Sequence, residues 1–559
     1  MENGFVTLRT PATPRPAPAR APASLPDAPA AGTRHSARNS RARRPRTAAA
    51  ALPGALLALL CGCTVGPNFR QPSVWSPTSW FAARPVAPAS YEASLPVAQP
   101  IDPAWWKLLG DEKLTALEER VAAQNFDVRI ATVRLAESRA QLRINSSQRF
   151  PQLNGTASYT RDQLNEKLVQ RALNGATKPL PPNATGSEIR DTLSAVPVPP
   201  IDLWRDGIDA NYEVDLWGRV RRTVEAAKAS LDASADMRRN TLLSALAEVA
   251  RDYVQLRGDQ ELLRIQRANL VTAQQSLTLT RQRSAGGLGT DLDVAQAASQ
   301  VETTRSQLPQ LEQQEQQTIN ALSLLLGEGP GALRAELEAP GAVPPVPPRV
   351  PIGVPSELAR RRPDVRMAEA QLHAATAQVG VAVASFYPTV TLSANVTFTA
   401  LQFRDLGFWN DHGYTFGPNI TLPIFQGGRL RGQLELNTAQ QREAALTYQQ
   451  TVLGAWHDVD NALIAYGAEQ ARRDALARSV EQNQRALALA RDRYTEGLSD
   501  FLNVLTQERS VLAAQQQLAD STVSVTQNLV QLYKALGGGW EPSFPAPQAT
   551  AAAAATSPG

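Results

Sequence analysis

The chain has 559 residues, 43% hydrophobic and 19% charged, with 41 prolines, 34 glycines, two cysteines and a formal net charge of +4. Two cysteines exclude a disulfide framework. The positive excess belongs to residues 1–62, which hold nine Arg and two acids; the remainder holds 47 basic against 50 acidic residues, net −3, and gives no footing for a nucleic-acid partner.

In chain order, residues 1–46 are Pro-, Ala- and Arg-rich and too poor in apolar residues to pack a core. Arg41, Arg43, Arg44 and Arg46 then precede an apolar run from Ala48 to Leu60 and the tetrad Leu60-Cys61-Gly62-Cys63. A basic stretch, a short apolar core and a small residue before a cysteine predict a signal peptide with lipidation at Cys63. The run is too short for a spanning helix. The expected organisation is an extension and signal peptide (1–62), a lipidated N-terminal segment (63–110), a first structural repeat (111–330), a Pro-rich linker (331–355), a second repeat (356–537) and a disordered tail (538–559).

The two repeats follow from internal duplication. Asp127-Val128-Arg129-x-Ala131-x3-Leu135 through Pro151 recurs as Asp364-Val365-Arg366-x-Ala368-x3-Leu372 through Pro388. Gly218-Arg219-x-Arg221-x3-Glu225 matches Gly428-Arg429-x-Arg431-x3-Glu435. That match stays in register to Arg281-x-Arg283-x3-Gly287-Leu288 against Arg491-x-Arg493-x3-Gly497-Leu498. Duplication on this scale predicts a quasi-symmetric protomer.

Each repeat reads as helix, strand pair, long helix, helix. Alternation predicts strands over 152–160, 207–216, 389–398 and 414–424, each with one apolar and one polar face. Within the first pair lies a long Asn- and Pro-rich loop, about 161–205, and within the second a shorter one, about 399–413. The first is too polar to be buried. From Gly218 to about Ser284 and from Gly428 to about Thr495 there is no proline, and each run would reach on the order of 100 Å as a helix. Leu242, Leu246, Val249, Tyr253 and Leu256 are spaced as a coiled-coil seam, repeated by Val452, Trp456, Val459, Leu463 and Tyr466. Gly287 and Gly497 break the pattern as the tips of helical hairpins before helices expected over 288–326 and 498–536. Strands with an apolar outer face suit a membrane barrel. Four strands cannot close one, so an oligomer is required, two copies giving eight strands and three giving twelve.

Further motifs carry a family likeness: Cys63-Thr64-Val65-Gly66-Pro67-Asn68, Trp105-Trp106, Tyr212-Glu213-Val214-Asp215-Leu216-Trp217-Gly218-Arg219, Leu422-Pro423-Ile424-Phe425-x-Gly427-Gly428-Arg429 and Val354-Pro355-Ser356-Glu357-Leu358-x3-Arg362-Pro363-Asp364-Val365. From Cys63 to Gly537 the chain resembles the TolC-like outer-membrane efflux proteins, in particular their lipoprotein (OprM-like, NodT-like) branch. The resemblance implies an α+β membrane protein and a homotrimer, with a twelve-stranded barrel through the outer membrane continued by a twelve-helix periplasmic tunnel. It implies two partners, a periplasmic adaptor and an inner-membrane pump of the proton-driven resistance-nodulation-division (RND) type. The chain carries no P-loop pattern, so it is read as a passive exit duct for drugs or other small molecules.

By the same resemblance the tunnel is shut at its periplasmic tip, near Gly287 and Gly497, with Asp293 and Tyr494 as a hydrogen-bonding latch pair. Many relatives carry acids where this chain has Asn503 and Thr506; Asp500 or Asp291 would then have to supply any negative ring from one turn away. Gly218 and Gly428 are expected at the strand–helix junctions. Cys63 would carry diacylglycerol and an N-acyl group, several chains making the anchor permanent.

Other chemistry is sparse. His35, His373, His412 and His457 are scattered, so neither metal nor cofactor is expected. No catalytic constellation stands out. Trp105-Trp106 read as packing residues rather than a ligand platform. The rival readings are an adaptor lipoprotein, which would lack the duplicated strand pairs, and a structural coiled-coil lipoprotein, which leaves the strands without a role. Within the family the alternative is the exit duct of a type I protein-secretion system.

Overall fold

The computed structural model describes residues 64–73, 77, 80, 94–163, 199–355 and 361–541. Cys63 and its leader lie outside the described residues. The elements are β1 (Leu95–Val97), α1 (Glu112–Gln124), α2 (Phe126–Ser147), β2 (Gln152–Asp162), β3 (Ile201–Val214), α3 (Arg219–Ala285), α4 (Asp291–Ser306), α5 (Leu308–Leu325), β4 (Arg349–Pro351), α6 (Pro363–Ala384), β5 (Thr389–Ala400), β6 (His412–Thr421), α7 (Arg429–Thr495) and α8 (Phe501–Ala535). The duplication is exact in length for the helices flanking the strands: α2 and α6 have 22 residues each, α3 and α7 have 67 each.

The long helices form because nothing in them breaks the pattern and one stripe of each is apolar. All five residues of the first seam are at most 1% exposed, and in the second seam Val452, Val459 and Tyr466 match them. The helix expected over 288–326 is instead two, α4 and α5. Pro309 stands in the first turn of α5 and has no N–H to continue the ladder from α4. The second repeat has Ala519 at the equivalent place, and α8 runs unbroken for 35 residues.

The four long strands form one antiparallel sheet in the order β2-β3-β5-β6, so β3 pairing with β5 joins the two repeats. Register puts Leu153, Tyr159, Ile208, Tyr212, Leu392, Val396, Phe416 and Ile420 on one face, and Asn154, Asp209, Asn211, Ser393, Asn395 and Asn419 on the other. The polar face is knitted across strands: Asn154 donates to Asp209 at 3.0 Å and Ser393 to Asn211 at 2.9 Å. On the apolar face Tyr414 and Phe416 are about three-quarters exposed. β3 begins at Ile201, six residues before the alternation becomes legible. Asp202 and Asp206 interrupt the apolar row there, and Asp202 is held by Tyr159 at 2.9 Å.

Strand turns into helix at Gly218 and Gly428, both left-handed with φ of 84° and 86°. Asp215 accepts from the amides of Val220 and Arg221 at 3.2 and 2.9 Å, capping α3. The N-terminal segment is pinned to this corner: Val65 donates to the Trp217 carbonyl at 3.1 Å, and Arg222 to Asn68 at 2.6 Å.

Halfway down the helices, the linker, the segment around Trp105 and the C-terminal end of the described chain pack on the seams. Trp105 is 1% exposed, stacks on Tyr533 at 5.3 Å and donates to the Gly538 carbonyl at 3.2 Å. Packing therefore runs past 537, and Trp540 is buried as well. The linker contributes Leu333, Leu337, Val350 and Ile352 to the same core, with β4 pairing parallel to β1. Buried Arg257 donates to Tyr253 at 2.9 Å, and Tyr253 donates to Asp111, the cap of α1, at 2.7 Å.

Among these groups Glu118 on α1 is fully buried and neither carboxyl oxygen has a hydrogen-bond partner. Burial pushes its carboxyl well above the usual range. The folded chain thus keeps a proton that the unfolded chain loses, and stability falls as pH rises from the ordinary carboxylate pKa towards the raised one. Glu118→Met should remove that slope. Its thermal midpoint, followed by helical circular dichroism, should exceed wild type by a margin that widens as pH rises above the ordinary carboxylate range. A constant margin would show that Glu118 is ionised in the fold.

Candidate functional site

The two helical hairpins turn in the same way. Gly287 and Gly497 have φ of 71° and 77°. In each, the residue after glycine donates to an arginine carbonyl, Leu288 to Arg283 at 2.9 Å and Leu498 to Arg493 at 2.8 Å, which closes the helix end with a left-handed residue. Beyond the first turn Thr290 and Asp293 form a reciprocal capping box, with bonds of 3.1 and 3.2 Å. Asp500 occupies the matching position of the second turn, where its side chain makes no capping bond.

The side chains around these turns differ sharply between repeats. Tyr494, Phe501, Val504, Leu505 and Ala297 form a small buried apolar cluster, with the two aromatic rings 5.6 Å apart. Arg283 lies over the Tyr494 ring at 4.8 Å and donates to the Thr495 carbonyl at 2.9 Å, so α3 grips the end of α7. Deeper in, Glu508 accepts from Arg491 at 2.7 Å and from Ser276 at 2.5 Å, tying α8 to α7 and α3.

Of the expected latch pair, Tyr494 is buried and its hydroxyl has no hydrogen-bond partner among the described residues. Burial pushes its phenol up, the Asp293 charge adds to this, and Arg283 opposes it. Asp293 is therefore near, but its carboxylate is engaged with the Thr290 amide in its own capping box. The pair makes no mutual hydrogen bond within the protomer.

Asn503 and Asp500 line a cleft of about 640 Å³ between α7 and α8, together with Leu489, Arg493, Gly497 and Gln507. Asn503 also donates to Ser499 at 2.9 Å, whereas Thr506 only bonds back to the Leu502 carbonyl. Asp291 is exposed and accepts from Ser284 at 3.4 Å. At the opposite end of the helices Gly218 is in close contact with the N-terminal segment. A Cβ there would meet Thr64 at 2.8 Å, so the residue following Cys63 sits at the strand–helix corner. Sequence reasoning gave no role to Arg283, Arg493 or Phe501; the signal available was the Arg-x-Arg pair standing before each tip glycine.

A family model described as "Outer membrane efflux protein" matches residues 117–328 and 354–538. The chain is 30% identical over 497 residues to the solvent efflux pump outer membrane protein SrpC of Pseudomonas putida, covering 88% of this chain and 98% of that one. It is 35% identical over 437 residues to the pyoverdine export outer membrane protein OpmQ of Pseudomonas aeruginosa, covering 78% and 87%. Among solved structures, the outer-membrane channel OprN superposes with a TM-score of 0.75 at 32% identity, over 86% of this chain and 100% of that one.

The tip geometry makes a prediction of its own. Tyr494→Phe keeps the ring and should leave amide exchange in the tip unchanged, because the hydroxyl has no partner within the protomer. Tyr494→Ala empties the cluster at a cost of about 3 kcal/mol, which should raise exchange at 277–285 and 501–505 by roughly 100-fold. Equal effects of the two substitutions would show that the hydroxyl, not the ring, holds the tip.

Proposed function

The chain belongs to the outer membrane efflux protein family, and we propose on that premise that three copies form a passive exit duct whose periplasmic tip is its gate. The observation that carries this reading is the open sheet. β2 and β6 are unpaired edges in one chain, one face of the sheet is apolar and the other polar, and all pairings are antiparallel. Adding copies edge to edge preserves that alternation, and three copies close twelve strands with the apolar face towards lipid. The two hairpins of each protomer then supply a twelve-helix tunnel below the barrel.

The polar face becomes the lumen wall. Its Asn, Thr and Ser side chains offer hydrogen bonds, and Asp209 adds a carboxylate that Asn154 holds at 3.0 Å; such a wall suits passage of small organic molecules of differing polarity rather than retention of one. The relatives are named for solvent efflux and pyoverdine export, and small organic molecules are the substrate class we assign here. No catalysis is assigned to the chain, so the driving force comes from partners, a periplasmic adaptor and an inner-membrane pump of the RND type. Acyl chains on Cys63 would anchor the trimer. The position of Thr64 at the strand–helix corner supports this, because that corner is where barrel meets tunnel and therefore where the inner surface of the membrane lies.

The gate comprises Asp293 and Tyr494, with Asp500, Asn503 and Thr506 along the adjoining wall. Purified, lipidated protein in planar bilayers should give small, rare openings. Asp293→Ala combined with Tyr494→Phe should give larger and longer ones. A double variant as quiet as wild type would remove those two residues from the gate. No conductance from either protein, despite intact trimers, would overturn the duct.

A further inference from the structure

The register of the sheet sorts charged side chains as well as apolar ones. Arg205, Asp209 and Glu213 are spaced by four on β3 and so share its polar face. Along that face Ser158, Arg205 and Thr399 form one cross-strand row, and Thr156, Gly207 and Thr397 form the next. Asn154, Asp209 and Asn395 form the row after that. β3 runs from the free rim of the sheet at Ile201 down to the strand–helix corner, so Arg205 is the outer residue and Asp209 the inner one. Glu213, deeper still, is neutralised by Arg219, which donates to it twice. Asp209 has no ion pair among the described residues. Its Oδ2 accepts from the Asn154 amide at 3.0 Å, with the Asn211 amide 3.5 Å away, so the carboxylate is held in place by uncharged groups and keeps its charge. Arg205 is exposed and makes no side-chain hydrogen bond or ion pair among the described residues. Four residues of strand separate the two, about 13 Å along the chain. Asp162 is on the same face at the outer end of β2, exposed at the rim where salt screens it.

We propose that three copies of Arg205 and three of Asp209 form stacked rings of opposite charge in the barrel lumen, and that this bipolar throat decides which small molecules pass the barrel. The proposal deepens the trimeric duct described above and rests on it. Three-fold symmetry triples each charge at one height, and rings of like-charged side chains set selectivity in pores. The separation of the rings exceeds the Debye length of about 8 Å at physiological salt, so they act one after the other instead of cancelling. An organic cation moving outwards is drawn to Asp209 and then repelled at Arg205. An organic anion is repelled at Asp209 before it can reach Arg205. A neutral molecule meets neither barrier, and a zwitterion can place its cationic end on the inner ring and its anionic end on the outer one. The substrate class narrows accordingly to neutral and zwitterionic organic molecules, ahead of those with a net charge of either sign.

Thiol accessibility in the full-length, lipidated trimer tests this without requiring the tip to open. Thr156 is exposed in the row between the two rings, and no cysteine follows Cys63, so Thr156→Cys gives a reporter whose background is the unsubstituted protein. Anionic sulfonatoethyl and cationic trimethylammonioethyl methanethiosulfonates are added at low salt, and the ratio of their reaction rates is read. Adding Arg205→Gln to the reporter should shift that ratio about tenfold towards the cationic reagent, and adding Asp209→Asn about tenfold towards the anionic one. Both shifts should shrink in about 1 M salt. In bilayers under a salt gradient the same two substitutions should move the reversal potential in opposite directions. Trimers in which neither readout moves, or in which both substitutions move it the same way, overturn the paired rings and leave the duct standing. A thiol at 156 that reacts with neither reagent in a trimer overturns the lumenal placement on which the rings depend. Absence of trimers in the wild-type protein overturns the duct and the rings with it.

Discussion

An edge strand in hydrocarbon exposes backbone N–H and C=O groups that lipid cannot satisfy, and this chain presents two such edges, β2 and β6. Everything below the sheet inherits the solution to that problem. The left-handed corners at Gly218 and Gly428 feed each strand pair directly into a 67-residue helix. Closing the sheet therefore closes the helices around the same axis, with no separate interface needed to define the tunnel. The protomer explains its own assembly: edges that must pair, and hairpins that follow wherever the edges go.

Duplication gives the tunnel near six-fold regularity, but a channel with one gate gains from seams that are not alike. The chain achieves this by changing the side chains around a turn that both repeats share. Tyr494 and Phe501 fill one tip with buried rings, while the equivalent Ser284 and Asp291 leave the other polar. Apolar burial is insensitive to salt and short in range, so the seam inside each protomer behaves as part of a rigid unit. A polar seam beside water is weaker and screened.

Much of this was legible in the sequence, for physical reasons. Strand alternation and the 4-3-4-3 spacing at Leu242–Leu256 and Val452–Tyr466 report directly which face is buried, and every one of those seam residues is buried. The tip glycines were legible because only glycine takes the left-handed turn without strain. Pro309 was in plain view, yet the repeat with unbroken α8 suggested one helix where there are two. The start of β3 was obscured by Asp202 and Asp206, which break the apolar row; the partner of Asp202, Tyr159, lies 43 residues away on β2. Asp293 is a different case. Thr290-x-x-Asp293 is a capping pattern in its own right, and within the protomer the Asp293 carboxylate accepts from the Thr290 amide. Arg283 and Arg493 look identical in sequence; only the fold shows that one is engaged within the chain and the other is not.

The distribution of burial also locates the moving part. The main core clusters at mid-height, where Trp105, Tyr253, Tyr466 and Tyr533 are all fully buried, and the linker, the segment around Trp105 and Trp540 lie across the seams. The tip has a separate core of only five buried residues. Opening free energy follows local burial, so the tip is the low-stability end of a long rigid body. Helices of this length bend gently rather than hinge unless a proline or a bulge interrupts them, and α7 and α3 contain no proline. A small curvature change below the mid-height core is multiplied along the remaining turns. Displacement is therefore greatest at Gly287 and Gly497, which is where weak contacts suffice to hold the duct closed.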